Sequence, residues 1–351
     1  MTQLHLWLRH ESRSTERRTP IVPADAARLV ENGITLTVEE SPQRIFPTEE
    51  YEAAGCRVTA AGSWVTAPRD AVIVGLKELP DQPAELTHRH IFFGHAYKGQ
   101  PGAEALLHRF VAGGGALLDL EYLVDDEGRR LAAFGYWAGY IGAALAVLHH
   151  RGVLDTPLRP TAKQDLEEQL RASGGEVSAL VVGALGRSGR GARVALGEAG
   201  IAPTCWDLAE TRALDRRALL DHELMVNTVL TTRPVPPFLT DKDLDDPDRR
   251  LRTLSDVTVD VGSPMNVLPI YDTTTDWEHP VRRLRERPPL DLVAIDNLPS
   301  LLPREASTDF SGSLLPQLLD FGVTGPWGHC LARFHEALRE SGIGGEEFDD
   351  D

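Results

Sequence analysis

Three short apolar runs in the first half of the chain each break off into polar and charged residues: DAVIVGLKELP, HIFFGHAYK and ALLDLEYL. Runs of this length between polar turns read as strands of a buried sheet. They follow an alternating strand, LHLWLR, a proline-started helix, PADAARLVENG, that stops at Gly33, and a further strand, ITLTVEE. Strand–helix–strand alternation implies an α/β fold with a doubly wound parallel sheet covered by helices. In such sheets the residues just past the carboxyl ends of the strands face the ligand crevice. Lys77, Glu78, His95, Lys98 and Glu121 fall there.

The stretch AAFGYWAGYIGAALAVLHHRG reads as a long buried helix crossing from one domain into the next, and LDTPLRPTAKQDLEEQLRASGGE as an exposed helix and loop. A second domain then opens with VSALVVGALGRSGRGARVALGEAGI, which sets Gly183, Gly186 and Gly189 between a strand and a helix. Glycines there allow a tight turn, close approach of backbone to a pyrophosphate, and a helix N-terminus aimed at negative charge. Asp207, 18 residues beyond Gly189, falls where a ribose-binding acid is expected and favours NAD over NADP. The alternative reading is a cap or turn residue, and Arg212 leaves room for NADP. The strands ELMVNTVL, LRTLSDVTVD and LDLVAIDNLPSLLP continue this domain. A helix in HCLARFHEALRESG is expected to fold back onto the first. The division is therefore 1–135 with 327–351 for the substrate and catalytic domain, and 136–326 for the dinucleotide domain. The acidic tail GGEEFDDD is expected to be disordered.

A length of 351 residues suits two domains. With 53 acids against 36 bases the net charge is −17, which argues against a nucleic-acid partner but not against a small anion. No run of about 18 apolar residues suggests a membrane span. The N-terminus lacks the pattern of a signal peptide. Cys56, Cys205 and Cys330 are far apart, as reduced cytoplasmic thiols would be, and the twelve histidines show no HxxxH spacing, so no metal site is expected.

Only four of the 36 basic residues are lysine, and two of them, Lys77 and Lys98, bracket His95. Arginine keeps its proton, whereas a desolvated lysine can titrate and act as a base. Lys77 is either a chance surface lysine or a titratable amine, and its neighbours favour chemistry. Dehydrogenation at an amine carbon expels hydride while the nitrogen sheds a proton, which a neutral lysine can take. Hydrolysis of the resulting imine needs a second shuttle near neutral pH, and His95 suits it. Glu78 and Glu121 either tune these groups or are solvated loop acids. Arg18 and Arg130 are either surface cations or forks for carboxylates.

The segments LRHESRSTERRTPIVP, GLKELP, FFGHAYK, LLDLEYL, EGRRLAAFGYWAGYIGAAL, VVGALGRSGRGA, RRLRTLSDVTVD and IDNLPSLLPREAS occur in order. Together they resemble the NAD-dependent, lysine-forming saccharopine dehydrogenase family, related in architecture to alanine dehydrogenase. The likeness spans nearly the whole chain. It implies two Rossmann-like domains with the active site in the cleft between them, a monomer, and reversible oxidation of saccharopine by NAD and water to lysine and 2-oxoglutarate. The alternative is another N-(dicarboxyalkyl) amino acid built from 2-oxoglutarate and a different amine. By the resemblance, Lys77 matches the base and His95 its acid–base partner, with Glu78 and Glu121 tuning them. Substrate contacts fall on Arg18, Lys98, Phe134, Thr258, Val259 and Asp260. Cofactor contacts fall on Arg130, Gly183, Gly186, Arg187, Gly189, Asp207, Thr211, Leu230, Val257, Ile295, Asp296, Asn297 and Leu298. Asn297 stands where the family commonly has histidine, and Leu230 where a tyrosine is expected.

Overall fold

Six strands form the first sheet: β1 (His5–Leu8), β2 (Thr35–Glu39), β3 (Arg57–Thr59), β4 (Val72–Val74), β5 (Arg89–Phe92) and β6 (Ala116–Asp119). The computed structural model describes residues 3–343 apart from 101, 232 and 323, so the expectation for the acidic tail lies outside the described residues. The strand order is 3-2-1-4-5-6, and every pair is parallel. That order reverses direction between β1 and β4, which defines a topological switch point at their carboxyl ends. The strands are short but buried on both faces, with Leu6, Leu8, Val72 and Val74 fully covered. One face carries a core built from Trp64, Phe92, Leu107, Phe110 and Phe334. His90 stands edge-on to Trp64 and Phe110 in that core, and burial pushes its pKa well down, so it is a neutral packing group.

The second sheet comprises β7 (Ala179–Val182), β8 (Thr204–Trp206), β9 (Leu224–Asn227), β10 (Thr253–Asp256), β11 (Arg282–Glu286) and β12 (Pro289–Val293). Its order is 11-12-10-9-7-8, with the switch point between β7 and β9. All pairs are parallel except the edge pair β11–β12. Only Arg287 and Pro288 join those two strands, and so short a link can only reverse the chain. The sheet is thus not wholly parallel, but both halves are Rossmann-like α/β units.

The chain divides into a first unit, residues up to Ala133 and again from Pro303, and a second unit, Phe134–Leu302. The return at Pro303 comes earlier than the expected residue 327. Its cause is the helix Pro303–Leu319, which bonds to the first unit: Ser307 Oγ accepts from Thr19 N, Ser311 Oγ accepts from Val22 N and donates to Asp25. The helix Gly325–Glu340 follows and packs on β6. The helix Gly135–His150 does not cross between units. It starts at the boundary, with Phe134 at its N-cap, and lies wholly in the second unit. It packs closely on the helix Arg187–Glu198: a Cβ at Gly139 would come 1.8 Å from Ser188 O, and one at Gly191 of the facing helix 1.9 Å from Tyr136 O; a Cβ at Gly142 would instead meet Val257 Cγ2 at 2.7 Å. Among the described residues no helix is long and apolar enough to cross a membrane.

Candidate active site

Strand pairing in the first unit runs on past the named strands. Gly75 N donates to Ile91 O, Phe93 N to Leu76 O, and Phe92 is in register with Asp119. Lys77, the Gly94–His95 turn and Glu121 therefore leave three neighbouring strands at the same end of the sheet.

Lys77 is half-buried and its backbone is held on both sides. Its N–H donates to Glu11 Oε2 (3.0 Å), and its carbonyl accepts from the guanidinium of Arg9. Glu78 is exposed and takes a two-pronged bond from Arg13, Nε–Oε1 2.9 Å and Nη2–Oε2 3.2 Å. Burial alone would raise the Glu78 carboxyl, but Arg13, with the charge of Lys77, brings it below its ordinary value.

Glu121 bridges Lys98 and His95. Lys98 Nζ lies 2.8 Å from Oε1 and His95 Nδ1 3.7 Å from Oε2. His95 is the largest influence holding the Glu121 carboxyl down at about 2, with Lys98 and Arg130 acting in the same direction against burial. At 3.7 Å the imidazole contact is long, and the lysine bond is the firmer of the two. Burial lowers Lys98, yet its bond to Glu121 leaves it above its ordinary value. His95 itself has φ +48, a conformation that costs a residue with a Cβ about 1 kcal/mol or more and must be imposed by its surroundings. Its ring stacks on Phe93, with centroids 6.4 Å apart. Arg18 is buried against Glu16, with contacts of 2.6 and 2.8 Å.

Sequence reasoning missed three acids beneath these groups. Glu11 accepts from the backbone of Leu76 as well as Lys77, Glu16 pairs with Arg18, and Asp119 Oδ1 accepts from Glu121 N (2.9 Å). Asp119 is fully buried; burial first, and the nearby Glu121 charge, push its carboxyl up to about 6. Its other oxygen makes no well-formed hydrogen bond among the described residues. The signal for Glu11 was available, since it lies just past β1, where the strand-end rule applied to the other strands also points.

In the second unit the glycine loop joins β7 to the helix Arg187–Glu198. Gly183 has φ +84, and a Cβ on Gly189 would lie 2.1 Å from Gly183 O. Gly186 is the N-cap and supplies no side-chain bond to the first helical turn. That leaves a bare, positively polarised helix start, the donor arrangement a pyrophosphate needs, so the residues fit a dinucleotide. Asp207 is also the cap that its spacing left open: Oδ2 accepts from Leu185 N and Oδ1 from Leu208 N, both 2.9 Å. It thereby ties the glycine loop to the end of β8. Thr211 Oγ1 is turned back onto Asp207 O (2.9 Å).

At the end of β10, the buried Asp256 accepts from Thr258 N and Val259 N and is itself bonded by Asn227 and Tyr271. That network holds Val259 at φ +51 and fixes the turn carrying Val257, Thr258 and Asp260. In the run Ile295–Leu298 only Asp296 is exposed; Asn297 is buried and donates to Ser300 Oγ (3.0 Å). Leu230 is 56% exposed. Phe134, expected with the substrate domain 1–135, belongs to the second unit because it caps the Gly135–His150 helix. Arg130 stays in the first unit, where its charge acts on both Lys98 and Glu121.

Residues 7–141 match the family model "Alanine dehydrogenase/PNT, N-terminal domain". The chain is 42% identical to the saccharopine dehydrogenase [NAD(+), L-lysine-forming] of Neurospora crassa, over 96% of each chain. It is 39% identical to the enzyme of the same name in Schizosaccharomyces pombe, over 91% of this chain and 93% of that one. Among solved structures it resembles an L-alanine dehydrogenase (TM-score 0.67, 16% identity, 94% of each chain). It also resembles a transhydrogenase from Sinorhizobium meliloti (TM-score 0.62, 17% identity, 90% of this chain and 93% of that one). At those identities the two structures speak to fold alone.

Proposed function

The chain belongs to the NAD-dependent, lysine-forming saccharopine dehydrogenase family, and from that premise we propose that it oxidises saccharopine with NAD and water to lysine and 2-oxoglutarate, reversibly, with Lys77 as base. The observation that carries this reading is the match at 42% identity along nearly the full length of a curated relative of that name. NAD, when bound, supplies the hydride acceptor. The glycine loop with Gly183, Gly186 and Gly189 is the proposed seat of its pyrophosphate. The negative charge of Asp207 beside that loop favours NAD over its 2′-phosphorylated form.

The remaining chemistry is proton traffic. In this reading the neutral amine of Lys77 takes the proton released by the substrate's secondary amine. His95 activates the water that adds to the imine, then returns a proton as the carbinolamine collapses to lysine and the oxo acid. The exposure of His95, at 56% of its side chain, leaves its ring open to solvent and suits a group that must handle water. Glu121 keeps an anion beside His95 at any pH well above 2. Arg18 and Lys98 are proposed to meet substrate carboxylates.

Two measurements test this. NADH consumption is followed with 2-oxoglutarate and a panel of amines; lysine is expected to be turned over fastest, and turnover with another amine but not lysine moves the assignment to a different N-(dicarboxyalkyl) amino acid. Lys77→Met is expected to cut turnover by ~10²–10⁴-fold with NADH affinity nearly unchanged. Wild-type turnover in that variant removes Lys77 as the base.

A further inference from the structure

The crevice between the ends of β1 and β4 is the switch point of the first sheet, where open α/β sheets take their ligands. Here two charged side chains of the chain itself bridge it. Arg9 and Glu11 follow β1 directly and are 1% and 5% exposed, with Nη1 3.3 Å from Oε2. Arg9 N continues the pairing to Val74 O (3.0 Å), and its guanidinium reaches across to the carbonyl of Lys77. Glu11 takes the N–H groups of Leu76 (2.6 Å) and Lys77 (3.0 Å). Room for the guanidinium exists because residue 75 is glycine: a Cβ there would come 2.4 Å from Arg9 Nε.

We propose that Arg9 and Glu11 are positioning residues for Lys77, a buried pair at the switch point that fixes the peptide from which the lysine departs and balances charge beneath it. The inference rests on the reading of Lys77 as the base. A structural ion pair alone is a poor explanation of this arrangement. Buried pairs repay their desolvation only with difficulty, and this one commits both Glu11 oxygens and the Nη2 of Arg9 to the backbone of residues 76 and 77, with Nη1 of Arg9 also on His10 O. Burial, the largest influence, raises the Glu11 carboxyl, while Arg9 and the N–H donors of Leu76 and Lys77 work in the opposite direction and favour its ionised form. The charges facing the pair are Glu16 and Arg44 from within the first unit and the neutral His90 beneath it; Glu78 with its partner Arg13 lies beside Lys77.

The test is the pH profile of kcat/KM for saccharopine in three variants, with NADH titration reporting the folded fraction. Glu11→Gln keeps the volume but frees one N–H and leaves the Arg9 cation uncompensated. An ammonium at Lys77 is then disfavoured, so the acidic limb of the profile should move to lower pH by about half a unit or more while kcat falls about tenfold. Adding Arg9→Met neutralises the site, and the limb should return toward its wild-type position with kcat still reduced. A structural defect alone gives no such return. If Glu11→Gln does not fold, the neutral double variant decides alone: reduced kcat at an unshifted limb supports the proposal, and wild-type kcat overturns it. An unmoved limb in folded Glu11→Gln also overturns it. Lys77→Met is run in parallel: if it keeps full activity the underlying reading has failed, whereas loss there with normal Arg9 and Glu11 variants defeats this inference only.

Discussion

The two units share a sheet plan and treat the same topological position in opposite ways. At the β1–β4 switch point the first unit places an arginine and a glutamate whose hydrogen bonds reach the next loop. At the β7–β9 switch point the second unit places glycines, so backbone and bare helix start are all that remain. The first arrangement ties down the backbone of residues 76 and 77; the second leaves space for something else. Fold therefore does not decide what a strand end does. The residues immediately after the first strand do: Arg9 and Glu11 in one case, Gly183 and Gly186 in the other.

The sharpest way to break this contrast is to fill the second crevice. In Gly189→Val the new Cβ would meet Gly183 O at 2.1 Å and Ala184 Cα at 2.6 Å, both backbone atoms that cannot step aside without deforming the loop. NADH affinity is expected to fall by ~100-fold or more, equivalent to about 3 kcal/mol. Undiminished NADH binding, read by fluorescence titration, would show that the loop does not seat the dinucleotide.

A smaller effect probes the buried charge of the first unit. Asp119 titrates at about 6 in the fold and near 3.9 when unfolded. The folded state thus holds the proton more tightly than the unfolded one. The stability this confers is fully present below pH ~3.9 and is lost as pH rises through 6, by up to about 3 kcal/mol. Asp119→Asn keeps an acceptor for Glu121 N and has no such loss. Relative to wild type it should gain stability between pH 4 and 7, measured as a growing difference in urea midpoint. A difference that stays flat with pH would mean that Asp119 is not the strained carboxylate its burial implies.

The legible parts of the molecule were those written in local pattern. Short apolar strands, the proline that opens the helix at Pro23 and the glycines after β7 each state their geometry within a few residues. What escaped depends on distant partners. Glu11 becomes a backbone clamp only because residues 76 and 77 lie beside it. Asp119 reads as one acid at the end of an apolar run until the fold puts Gly94 and Glu121 against it. The unit boundary at Pro303 was misplaced for the same reason: the hydroxyls of Ser307 and Ser311 find their partners at residues 19, 22 and 25. The glycines of the 135–150 helix were noticed as a pattern, but the cause at Gly139 is the backbone of a helix about fifty residues away.

Asp207 carries the smallest expected effect and separates two roles that coincide in one side chain. Its oxygens accept from Leu185 and Leu208, so some of its value is mechanical: it ties the glycine loop to β8. Those bonds do not cancel its charge, and the side chain is only part-buried, so a 2′-phosphate brought near it would still be repelled. Asp207→Asn removes the charge, retains one acceptor and presents an amide where the second accepted bond was. The loop should loosen slightly, raising the KM for NADH by a few-fold, while the ratio of NADPH to NADH use rises by about tenfold, or ~1.4 kcal/mol. A raised KM with an unchanged ratio would assign Asp207 to the loop alone and leave the choice between the two dinucleotides to residues farther along the chain, with Arg212 the first to examine.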